Sequence, residues 1–207
     1  MKNLVMVCLC IFVASCATSE KVLYERIQSN EQTSVKTNVE ALSASKIIPL
    51  PKGTNWFPIT GEDFDIEQSD PIFAFPDYLS NYKIFSFSGD IDDKFQIKVW
   101  SSCDCLGFDK RILVPVTYVF DETGKVIDYE VVGAKSDIGH IFYKVIGSFE
   151  SSSKLFLFVG ADNSRVGKTM GTGEAMVDGY KPTGIIVRST SNPYGEFSVE
   201  HVLNPTP

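Results

Sequence analysis

From Ile47 onward the chain is a succession of short apolar runs, each closed by Pro, Gly, Asn or Asp. That spacing constrains the fold more than any other feature, because short runs between turn signals are what a folded sheet produces. Strands are predicted at 56–59, 71–75, 83–88, 95–101, 112–120, 126–132, 141–149, 155–161, 185–189 and 197–202. Together they predict an all-β domain over residues 47–207, a β-sandwich of jelly-roll-like or Ig-like type. Asp121-Glu122-Thr123-Gly124 reads as the turn of a hairpin joining 112–120 to 126–132, with Gly124 at positive φ. Residues 112–120 are apolar at nearly every position, so a central strand covered on both faces is expected there. Pro115 cannot donate to a ladder, which predicts a bulge or unpaired edge at that point.

The N-terminus has a different character. Lys2 precedes an apolar segment from Leu4 to Val13, too short for a bilayer core of roughly 30 Å. Ala14, Ser15 and Cys16 follow it in a pattern that resembles the lipobox of bacterial lipoproteins. The resemblance implies a signal peptide over residues 1–15, followed by thioether lipidation, cleavage and N-acylation at Cys16. Several acyl chains on one residue would hold it to a lipid bilayer. Ala17 is not the aspartate linked with inner-membrane retention, so the expected location is the outer membrane, facing the periplasm. Residues 16–46 are polar and read as a lipidated flexible linker, with a short helix possible over 21–30.

Composition excludes some partners. The formal charge is −7, or −8 once Lys2 leaves with the signal, and no Lys/Arg cluster is evident, which argues against nucleic acid and against electrostatic docking to anionic lipid. Cys8 and Cys10 leave with the signal, so Cys103 and Cys105 alone remain beside Cys16. In an oxidising envelope this pair either closes a small ring or stays free. With only His140 and His201 as histidines, it lacks the further ligands of a metal site, and no cofactor is expected.

Catalytic templates fit poorly. Gly160 and Gly167-Lys168-Thr169 are too far apart for a P-loop, and 171–174 reads as a loop. There is no Gly-x-Ser-x-Gly elbow; His140 stands at a strand entrance and His201 near a frayed end. Asp63, Asp65 and Glu67 alternate along one strand face, and Asp90, Asp92 and Asp93 crowd a turn without the spacing of a calcium loop. In 95–100, Phe95, Ile97 and Val99 share one face while Gln96, Lys98 and Trp100 share the other. Trp100 therefore points away from the core, where it either stacks on a sugar ring or is covered by a loop. Trp56 and Tyr194 read as structural.

The run from Leu50-Pro51 through Phe64-Asp65-Ile66, Ser69 to Phe75, Ser80-Asn81-Tyr82, Phe95 to Ser101 and Leu113-Val114-Pro115-Val116 into Phe120-Asp121 resembles the MalM family of maltose-operon periplasmic proteins. The resemblance continues through Tyr143 to Phe149 and Leu155 to Ala161 to the glycine-rich stretch Gly167 to Gly173, and covers about residues 47–190. It implies a periplasm-facing, often lipidated β-rich protein associated with carbohydrate uptake, with no catalytic residues to carry over. The Cys103-Asp104-Cys105 segment departs from the pattern. Two readings follow: a non-enzymatic module that binds a glycan or an envelope protein, or a polysaccharide-acting hydrolase using paired carboxylates such as Asp63 and Asp65.

Overall fold

Residues 154–161 read Lys-Leu-Phe-Leu-Phe-Val-Gly-Ala, apolar on both faces, and only a strand buried on both sides can accommodate that. The computed structural model, which describes residues 18–53, 62–104, 109–136, 139–150, 152–177 and 181–202, places this run inside a β-sandwich. Its strands are β1 Ile47–Pro49, β2 Lys52–Gly53, β3 Asp63–Ile66, β4 Ile72–Ala74, β5 Leu79–Ser88, β6 Lys94–Asp104 and β7 Asp109–Leu113. There follow β8 Pro115–Phe120, β9 Tyr129–Ser136, β10 His140–Ser148, β11 Lys154–Ala161, β12 Thr169–Val177, β13 Lys181–Asn192 and β14 Gly195–Val202. Helices α1 (Glu20–Gln28) and α2 (Asn38–Ala44) precede them. The signal segment, Cys16, Trp56 with the strand expected around it, and Cys105 lie outside the described residues.

A five-stranded sheet runs β1-β5-β11-β8, with β4 also on β5. A nine-stranded sheet runs β12-β13-β7-β6-β10-β9, with β14 on β6 and β2 and β3 on β14. Most pairings are antiparallel; β1–β5, β7–β13 and β2–β14 are parallel. Between the sheets lies the main core, built from Phe85, Phe87, Leu155 and Leu157 on one side and Phe95, Ile97, Val99, Tyr143, Phe197 and Val199 on the other. Tyr143 ties the layers together, its hydroxyl donating to Pro115 O at 3.3 Å and meeting Thr117 Oγ1 at 3.2 Å.

Pro115 stands on an edge strand, one of the two outcomes expected for it, whereas the run 112–120 is not the central strand expected. The apolar run 112–120 changes sheet there: β7 pairs with β6 and β13, and β8 pairs with β11 at the edge of the smaller sheet. A proline at the first position of β8 costs no ladder bond that the crossing has not already broken. The Asp121 turn forms as expected, with Gly124 at φ 80° and Asp121 Oδ1 accepting from Thr123 N, Thr123 Oγ1 and Lys125 N. The hairpin itself stops after the Phe120–Val126 bridge, because β9 leaves to pair with β10.

Two further expectations are corrected. The stretch 171–174 is not a loop but part of β12, which pairs with β13 through two register shifts. Residues 18–46 are not a free linker. Ser19 caps α1 and a Thr37–Glu40 capping box starts α2, satisfying the orphan N–H groups of short helices. Ile27 is then buried with Ile72 and Leu79, and Ala41 with Phe73, Tyr82 and Phe158. Tyr24 Oη accepts from Leu79 N at 3.2 Å, and Tyr82 Oη donates to Ala41 O at 3.2 Å. The smaller sheet is thus covered on its outer face by α2 and its neighbours, which explains why β11 is apolar on both sides.

Candidate functional site

Register decides what the outer face of the nine-stranded sheet displays. Because Phe197 and Val199 point inward, Glu196, Ser198 and Glu200 point outward, and the alternation carries across to their partners. One row across the strands reads Asp63, Ser198, Trp100, Phe142. The next places Asp65 opposite Glu196 and His140 opposite Ser102, and a Ser102–Glu196 hydrogen bond joins the two pairs. A third places Lys98 between Glu200 and Lys144.

Trp100 lies on the outer face, as expected, and is half-buried. Its ring centroid is 4.8 Å from that of His140 and 5.9 Å from that of Phe142, both tilted. The polar side is held by hydrogen bonds: Ser198 Oγ donates to Asp63 Oδ1 at 2.6 Å, and Ser102 Oγ to Glu196 Oε1 at 3.2 Å. An aromatic strip thus borders two carboxylates fixed by hydroxyls. Such a surface offers an apolar ring to a sugar's C–H face and acceptors to its hydroxyls. Below it, Lys98 is 2 % exposed and sits 3.8 Å from Glu200. Burial pushes the Lys98 ammonium below the usual lysine range, Glu200 opposes that and Lys144 adds to it.

Asp63 and Asp65 are both exposed, on the same face of β3, but they have different neighbours. Asp63 faces Ser198, while Asp65 faces Glu196 at the rim of a cavity of about 400 Å³. Arg111, Cys103, Asn192 and Tyr194 also line it. Arg111 Nε is 3.0 Å from Glu20 Oε1, which ties α1 to a residue of the cavity lining. In its wall, Asn192 Oδ1 and Tyr194 Oη are buried without a hydrogen-bond partner. Cys103 is disulfide-bonded, and every other cysteine lies outside the described residues. Among the described residues no three His, Cys, Asp or Glu side chains gather into a metal-holding group.

His201 is not at a frayed end. It is 6 % exposed in β14, with its ring 5.2 Å from that of Phe87 in the inter-sheet core. Burial, helped by Lys52, holds its imidazole below the ordinary value of 6.5. Sequence reasoning placed Trp100 on the outer face, and it placed Asp63 and Asp65 on one strand face. It had no means of bringing Glu196, Ser198, His140 and Phe142 beside them, since that requires the strand order.

These features define a β-sandwich with a polar and aromatic outer sheet face. No family model, curated protein or solved structure matches the chain.

Proposed function

We propose that this chain is an outer-membrane-anchored, periplasm-facing lipoprotein of the MalM type, associated with carbohydrate uptake and acting as a non-enzymatic binding module. The observation that carries the binding role is the row Asp63, Ser198, Trp100, Phe142, with His140 against the Trp100 ring. A glycan lying across the strands would stack on the rings and hydrogen-bond to Asp63 and Glu196. The anchoring role rests on the lipobox pattern at Cys16.

Titration with maltodextrins, read by tryptophan fluorescence, tests the binding half. A saturable change that weakens about tenfold or more in Trp100→Ala supports it, as expected for loss of an aromatic anchor. A flat response to maltodextrins and to other glycans removes it and leaves a structural role or an envelope-protein partner. Mass spectrometry of the mature N-terminus tests the anchor, with Cys16→Ser as comparison; an unmodified chain in the soluble fraction refutes it.

The hydrolase reading now has a specific form. Asp65 and Glu196 are cross-strand partners and both line the cavity, whereas Asp63 is not among its lining residues. Polysaccharide cleavage that disappears in Asp65→Asn and Glu196→Gln would favour it over binding alone.

A further inference from the structure

The docking of α1 changes what the anchor does. Only Ala17 and Thr18 separate Cys16 from Ser19, the residue that caps α1. At full extension the span from Cys16 to Ser19 is at most about 11 Å. α1 in turn is fixed to the β domain by the Glu20–Arg111 ion pair, the Tyr24–Leu79 hydrogen bond and buried Ile27. The proposed acyl group on Cys16 therefore hangs from a short strap, not a long stalk. Whichever face surrounds the start of α1 must lie close to the bilayer.

Three exposed cations gather at that face of an otherwise acidic chain. The stem of Lys21 runs beside Gly167, where a methyl group on the glycine would lie 3.6 Å from Lys21 Cε. Arg165 and Lys168 flank Gly167 in the turn between β11 and β12, held by the Lys168 N–H to Arg165 O bond at 2.9 Å. Lys21, Arg165 and Lys168 are all exposed. Of the acids there, Glu20 is engaged with Arg111 and Asp162 with Arg165 at 3.0 Å, while Glu25 lies one turn along α1 from Lys21.

We infer that the surface formed by Lys21, Arg165 and Lys168 is a docking face for anionic phospholipid headgroups, fixing the orientation of the sandwich on the membrane. This rests on the anchoring role proposed for Cys16. A reach of about 11 Å is comparable to the Debye length of about 8 Å at physiological salt. The cations are thus held within the range at which headgroup charge acts on them. A composition-level count hides this patch, because its members come from α1 and from a turn more than a hundred residues later.

The test uses the full mature chain on vesicles of phosphatidylethanolamine with a minor fraction of phosphatidylglycerol and some brominated lipid. A fluorescent label is placed through Ser164→Cys, beside the patch, or through Glu150→Cys, beyond the other end of β11; the chain without an added cysteine is the blank. β11 alone separates these ends by roughly 25 Å. Docking gives quenching several-fold stronger at 164 than at 150. Each of Lys21→Gln, Arg165→Gln and Lys168→Gln should shift the docked equilibrium about fivefold toward release, so the triple variant brings the two labels together. Equal quenching in the acylated wild-type chain, or no change in the triple variant, overturns the docking face while leaving the anchor intact. An unacylated Cys16, read by mass in the same sample, overturns both.

Discussion

A histidine beside Phe87 in the inter-sheet core has little solvent to stabilise a charge, and His201 is such a residue. Its folded-state pKa lies below 6.5, so at pH values between the folded and unfolded values the unfolded chain binds the extra proton. Stability is therefore full above about 6.5 and falls as pH drops through the folded value. Unfolding by urea between pH 7 and 5 should show this loss, with a slope of at most about 1.4 kcal/mol per pH unit from one proton. In His201→Phe the same pH interval should show a shallower slope; an identical slope would mean that other groups carry the acid sensitivity. Gly147 makes a second prediction at this scale. A methyl group there would fall 2.5 Å from Phe95 Cζ and 3.1 Å from Asp128 O, against a ring that is 0 % exposed. Gly147→Ala should destabilise the protein by about 1–3 kcal/mol through overpacking, seen as a lower melting temperature.

Elements were legible in the sequence where their burial was complete. β5, β6, β10, β11 and β14 lie close to where their apolar runs place them, since those runs fill the two-sided core. β12 was hidden because Gly171 and Gly173 weaken any strand signal, and pairing with β13 supplies what local preference does not. α1 falls where a short helix was read over 21–30, but its docking and α2 were hidden for the opposite reason. Each helix buries a single residue fully, Ile27 or Ala41, too sparse a pattern to show a face that packs on the sheet. The candidate site was only half legible: alternation gives the face of Trp100, but its row with Asp63 and Ser198 depends on β14 lying between β3 and β6. The docking of α1 is open to direct measurement. Ile27→Ala should cost about 2 kcal/mol or more at a closed site, raising hydrogen exchange of α1 amides roughly thirtyfold while β5 and β11 amides keep their protection. Unchanged exchange in α1 would mean that Ile27 does not hold it.

At the scale of the whole molecule, the smaller sheet is the middle layer of three. One face meets the nine-stranded sheet; the other presents Phe73, Tyr82, Ile84, Phe156 and Phe158, and α2 closes over it with Ala41 0 % exposed. The rings there form a continuous cluster, with Phe158 4.9 Å from Tyr82, 4.6 Å from Tyr118 and 5.2 Å from Phe73. The same burial pushes the Tyr82 phenol up to about 12. Stripping residues 18–46 would leave these rings facing water, a contiguous apolar patch of the kind that drives association. A chain beginning at Ile47 should therefore melt at a lower temperature than the chain beginning at Cys16, bind a hydrophobic dye in its native baseline, and elute as aggregate in size-exclusion chromatography. A free linker would make the opposite forecast, since removing it would leave the melting temperature and elution volume unchanged. The segment next to the anchor is on this view part of the folded domain, which is why the proposed attachment at Cys16 would fix an orientation as well as a location.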